Sequence, residues 1–284
     1  MTDTPSAHSP DPTAPHDVPP VMFVHGLWLA ASSWDPWRDR FAAAGFPTLA
    51  PTWPGEAPTV PDTRAHAEDQ AGIGIDEVTA HFAEAIAPLG RKPIIVGHSF
   101  GGLIAQKLLA ADVAAAAVAI DPAQIQGVKT IPLAQLRSSF PVLGNPANAK
   151  RSVTLTPDAF AHGFGNALDR SESDSLYDHW SIPSPGRPLF QAAFANLLPG
   201  SPAHVDTHVE RGPLLILGGG RDRTVPESVS RSAFHRYHRA RTDNDYVVFP
   251  DRGHSLTVDH GWPEVADTVI EWLASKGFGA PISH

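Results

Sequence analysis

A chain of 284 residues with 42% hydrophobic and 18% charged side chains has the composition of a folded protein with a large core and is unlike a disordered polymer. The formal charge of −9 comes from carboxylates spread along the whole sequence, and no Lys/Arg cluster supplies the surface that a nucleic-acid partner requires. The absence of cysteine excludes disulfides, thiolate nucleophiles and Cys-based metal or iron–sulfur sites.

Residues 1–19 are rich in Pro, Asp, Ser and Thr, with no basic start and no apolar stretch of signal-peptide length, and read as a disordered leader. No later segment has the roughly 18 consecutive apolar residues of a membrane span. A cytoplasmic protein without a membrane partner is therefore expected.

From Val21 onward, short apolar runs alternate with stretches of helical periodicity. The runs, expected as strands, are Val21–Val24, Phe46–Ala50, Pro93–Val96, Ala115–Ile120, Leu214–Leu217 and Tyr246–Phe249. Helices are expected at Trp34–Ala44, Ile75–Ala87, Gly101–Ala111, Glu227–His238 and Trp262–Ser275. Near-continuous apolar strands are covered on both faces, so the alternation predicts a doubly wound, mostly parallel α/β sheet flanked by helices. The rhythm breaks between Pro122 and Gly212, where Pro, Gly, Asn and Ser interrupt short helical fragments. A core of residues 20–121 and 213–284, with 122–212 inserted as a mainly helical lid, accounts for this. Trp28 and the lid aromatics Phe140, Phe160 and Trp180 are candidates for a substrate pocket under that lid, although such residues also serve as a lid's own core.

The segment Gly97-His98-Ser99-Phe100-Gly101 joins an apolar strand to a helical pattern. A serine on so sharp a turn is pushed out above the sheet, and the chain passes too close to itself for a Cβ two residues to either side. The N–H of Phe100 then sits at a helix N-terminus, where free donors and the helix dipole favour an oxyanion. Ser99 is the candidate nucleophile. It needs a base to take its proton, and the sequence holds 15 histidines.

The nucleophile segment, together with Phe23-Val24-His25-Gly26-Leu27-Trp28 after the first strand, resembles the α/β-hydrolase superfamily, in its bacterial esterase and haloperoxidase-like group. The resemblance runs from about Pro20 to Ala274. It implies an oxyanion hole formed by the N–H groups of Leu27 and Phe100, and the order Ser, acid, His. His254 in Asp251-Arg252-Gly253-His254, between the last strand and the last helix, stands where the family keeps its base; His260 and His98 are weaker candidates. Asp222, in Gly219-Gly220-Arg221-Asp222 after the penultimate strand, matches the acid. Asp121 closes the preceding strand and is the alternative.

The implied chemistry is hydrolysis of a carboxylic ester or related acyl bond in a small apolar substrate, through an acyl-enzyme and without a cofactor. Cofactor-free perhydrolysis of the haloperoxidase-like kind, thioester hydrolysis, carbon–carbon cleavage and a non-catalytic ligand-binding role remain as alternatives, because a fold does not fix a reaction. An unperturbed histidine base predicts loss of activity near about pH 6.5. A metal enzyme is disfavoured, since the nearest spacing, His204 with His208, lacks further ligands.

Overall fold

The computed structural model describes residues 18–279, so the expected leader lies, up to residue 17, outside the described residues. In chain order the elements are β1 (Val21–Val24), α1 (Asp35–Ala43), β2 (Thr48–Leu49), α2 (Val60–Ala65), α3 (Ile75–Ile86), β3 (Ile94–His98), α4 (Phe100–Ala110) and β4 (Ala116–Ile120). Then come α5 (Leu133–Leu143), β5 (Ser152–Val153), α6 (Pro157–Gly163), α7 (Arg170–Trp180), β6 (Ser184–Pro185), α8 (Arg187–Ala193), β7 (Leu214–Gly219), α9 (Glu227–Arg236), β8 (Asn244–Phe249) and α10 (Trp262–Ser275).

Six strands form one sheet in the order β2-β1-β3-β4-β7-β8, and every neighbouring pair is parallel. The strand pleat sends alternate side chains to two separate cores. Val21 and Phe23 of β1, Ile94 and Val96 of β3, and Leu215 and Leu217 of β7 pack beneath α1 and α10, with Trp34, Trp37 and Phe41. Met22, Val24, Ile95, Leu214 and Ile216 face the opposite way, onto α3, α4 and α9. Both faces are thus dry, which explains strands that read as unbroken apolar runs. Prolines fall in the first turns of α1 and α10, where a missing N–H costs no helical bond.

The stretch between β4 and β7 contributes no strand to this sheet. It holds α5 to α8 and a short antiparallel ladder between β5 and β6, a ladder that the sequence pattern did not predict because two-residue strands carry no periodicity. Main-chain bonds tie it to the loop after β1. Ala30 N–H donates to the Trp180 carbonyl at 3.0 Å and Ile182 N–H to the Trp28 carbonyl at 3.3 Å. The segment therefore lies over the carboxyl ends of the strands, the edge at which open α/β sheets place their ligands. Among the described residues no helix is long and apolar enough to cross a membrane.

Candidate active site

Ser99 sits between β3 and α4 with φ 57° and ψ −119°, a conformation a non-glycine residue adopts only where the surroundings impose it. Here they do. A Cβ on Gly97 would run into the Gly101 carbonyl, and one on Gly101 into the Val24 carbonyl of the neighbouring strand, so both positions must be glycine for the turn to close. The Ser99 N–H donates to the Ile120 carbonyl at 2.9 Å, which fixes the turn to the end of β4. Phe100 opens α4, whose first turn carries no acidic residue to compensate the positive end of the helix.

The loops after β7 and β8 bring Asp222 and His254 together. Nδ1 of His254 lies 2.5 Å from Oδ2 of Asp222, and neither side chain is exposed. A carboxylate only accepts, so Nδ1 carries the proton and Nε2 keeps its lone pair. The other Asp222 oxygen accepts from the N–H groups of Thr224 at 2.6 Å and Val225 at 2.8 Å. His254 is walled by the edge of Phe164, 4.7 Å between centroids, and by the His98 ring at 4.6 Å. Nε2 has no hydrogen-bond partner, so Ser99 Oγ does not yet bond to it; such bonds often tighten only when substrate is seated.

Burial governs the charges. It pushes His254 down to about 3, which keeps the imidazole neutral and moves its titration below the ordinary value expected from the sequence. Burial also raises Asp222, against the hydrogen bonds that its oxygens receive. His98, buried and without a partner on either ring nitrogen, is held well below the ordinary histidine value by burial and then by His254.

The one His/Asp/Glu cluster close enough for a cation among the described residues is Asp121, Asp222 and His254. The short Nδ1–Oδ2 bond already needs a proton in that position, so the arrangement is hydrogen-bonded and not a cation cage. His204 and His208 are exposed and lie outside any helix, so their spacing does not place them on one face.

The family model described as alpha/beta hydrolase matches residues 21–268. The chain belongs to the alpha/beta hydrolase family. Solved structures of similar fold align with this alpha/beta hydrolase. A monoacylglycerol lipase of Paleococcus ferrophilus aligns with TM-score 0.63 at 24% identity, covering 91% of this chain and 96% of its own. A methylesterase of Arabidopsis gives 0.64 at 17%, covering 91% and 100%. A protein assigned as a non-heme bromoperoxidase in Mycobacterium tuberculosis gives 0.67 at 20%, covering 91% and 92%. These likenesses carry the fold. No curated protein matches the sequence.

In this hydrolase a cavity of about 120 Å³ opens above Ser99, lined by Trp28, Phe100, Leu143, Leu155, Phe164 and Val225 among others. Of the four side chains expected there, Trp28 lines it. The other three do not. Phe140 is 70% exposed on α5, because its helix turns that face to solvent. Phe160 is fully buried, stacked on Phe164 at 4.9 Å, and belongs to the core that continues onto one face of the sheet. Trp180 packs half-buried against the main core and acts through its carbonyl on Ala30.

The sequence reading also missed Glu56. Its carboxylate meets Nε2 of His25 at 2.7 Å, with both side chains buried, and accepts from the N–H groups of Ala31 at 2.9 Å and Trp53 at 3.1 Å. Burial pushes the Glu56 carboxyl up, but the facing His25 and the two N–H groups outweigh it, and the group lies below the ordinary range. Glu56 thereby fixes the loop that carries Gly26 and Leu27. A glutamate in a Pro-Gly-Glu loop is usually solvated, so the sequence held no signal for this.

Proposed function

We propose that this alpha/beta hydrolase cleaves carboxylic esters of small apolar acyl groups by two-step acyl transfer. Ser99 is the nucleophile. His254 Nε2 accepts its proton, Asp222 holds the imidazole in the tautomer with Nδ1 protonated, and the N–H groups of Leu27 and Phe100 receive the oxyanion. As the tetrahedral intermediate collapses, His254 passes that proton to the departing alcohol and leaves Ser99 acylated; water, deprotonated by the same base, then attacks the acyl carbon and releases the acid and free Ser99. No cofactor takes part in these steps. The segment 122–212 acts as a lid that excludes water and shapes the acyl site.

The observation that carries this reading is the buried 2.5 Å His254–Asp222 pair beside a serine held at positive φ on a strand-to-helix turn. A buried hydrogen-bonded pair kept only for stability would not be set next to a strained serine under an apolar cavity. The experiment is turnover of a panel of p-nitrophenyl esters, thioesters and amides by the wild type and Ser99→Ala. Ester turnover that falls by about three orders of magnitude or more in a folded Ser99→Ala protein supports the proposal. Wild-type turnover of thioesters or amides alone, or an active Ser99→Ala, contradicts it.

A further inference from the structure

Behind the His254–Asp222 pair lies a carboxyl group that the mechanism leaves without a task. Asp121 follows β4, is fully buried, and holds φ at 39°, a left-handed conformation that costs energy in a non-glycine residue. Its Oδ1 accepts from the Gly219 N–H at 2.6 Å, and its Oδ2 has no donor from the protein. Asp121, Asp222 and His254 each place one ligating atom within 4.8 Å of the others.

Two carboxylates this close, with water excluded, cannot both ionise. The count of donors decides which one keeps the proton. Asp222 receives three N–H bonds, from Thr224, Val225 and His254, whereas Asp121 receives one. Donors favour the charged form, so the negative charge belongs on Asp222 and the proton on Asp121. Burial, followed by the charge of Asp222, holds Asp121 well above the ordinary carboxylate range. The other titratable groups facing this pair are His254 and, from β8, Tyr246, whose hydroxyl is tied to Glu227 at 2.7 Å.

We propose that Asp121 is a protonated positioning residue that donates its O–H to Asp222, so that the acid behind His254 is a carboxylic acid–carboxylate pair carrying one negative charge. The inference rests on the role given to Asp222 above. The donated proton gives Asp222 a fourth donor without adding a second charge, and it holds the carboxylate in the plane that His254 Nδ1–H requires. Asparagine at position 121 preserves this pattern. Its N–H₂ donates to Asp222 and its oxygen accepts from Gly219. Leucine preserves neither.

The test combines infrared spectroscopy with kinetics on the full-length protein. At neutral pH the wild type is expected to show the carbonyl band of a buried protonated carboxyl group, and Asp121→Asn to lack it. Asp121→Leu should lose roughly tenfold to a hundredfold in kcat/KM, and Asp121→Asn should recover most of that loss. A wild type without the band, or an Asp121→Asn protein that keeps it, overturns the proposal, and both readings hold even if Asp121→Leu does not fold. Asp121→Asn as inactive as Asp222→Asn also overturns it, because Asp121 would then supply charge. If the wild type hydrolyses no ester, the function proposed for the site fails, and the band still decides where the proton resides.

Discussion

Adding one methyl group to Gly26 should disable the oxyanion loop while sparing the rest of the site. A Cβ at this position would stand 2.6 Å from the Ser99 Cβ, 2.9 Å from the His98 carbonyl oxygen and 3.2 Å from Ser99 Oγ. Carbon atoms settle at about 3.5–4.0 Å, so the loop and the serine must separate by about 1 Å. Ser99 cannot yield: its N–H bonds to Ile120, and its carbonyl accepts from Gly102, Leu103 and Ala123 at 3.0, 3.2 and 2.9 Å. The displacement therefore falls on the loop, and Leu27 N–H, one residue on, leaves the oxyanion. Loss of one such donor costs about 10²–10³ in kcat, or about 2.7–4 kcal/mol of transition-state stabilisation. The assay is kcat for a p-nitrophenyl ester, normalised by active-site titration, alongside the melting temperature. Gly26→Ala with kcat within about threefold of the wild type in a fully folded protein would refute the reasoning.

Glu56→Ala leaves His25 and two buried N–H groups without their acceptor, and removal of one partner from a buried pair should cost about 3–5 kcal/mol by chemical denaturation; a loss below about 1 kcal/mol would mean the pair is immaterial. Because burial lowers the His254 pKa, the base stays neutral as pH falls, and the acid limb of kcat/KM should lie below the ordinary value of about 6.5, with a limb at or above that value as the contrary result. The same group contributes stability that is complete above about 6.5 and lost as pH falls towards its folded-state value. Phe160→Ala should cost about 3–5 kcal/mol of stability and leave the ranking of acyl chain lengths intact, whereas Phe164→Ala should change the ranking; the reverse pattern in a chain-length series would place Phe160 at the substrate.

What the sequence made legible was whatever the backbone dictates locally. Gly97 and Gly101 are demanded by contacts within a few residues of Ser99, so their spacing announces the turn and its serine. The sheet was equally open to reading. Strands buried on both faces leave unbroken apolar runs, and the expected Val21–Val24 strand and Trp262–Ser275 helix have the same bounds in the structure. The lid aromatics were opaque for the opposite reason. Phe140, Phe160 and Phe164 are chemically alike, and only the tertiary packing decides that one faces solvent, one the buried core and one the cavity. Glu56 stayed hidden, and Asp121 was legible only as an alternative to Asp222 and not as its partner, because the groups they meet, His25, Ala31 and Trp53 for one and Gly219 and Asp222 for the other, come together only across the tertiary fold.

In the proposed mechanism Ser99 attacks a carbonyl with His254 as its base. Reaction of the full-length protein with a fluorophosphonate, followed by peptide mapping, tests it most directly. A single phosphonylated residue, Ser99, is expected, labelled in the wild type and at least about a hundredfold more slowly in His254→Ala. Label on a different serine, or undiminished labelling of Ser99 without His254, would contradict it.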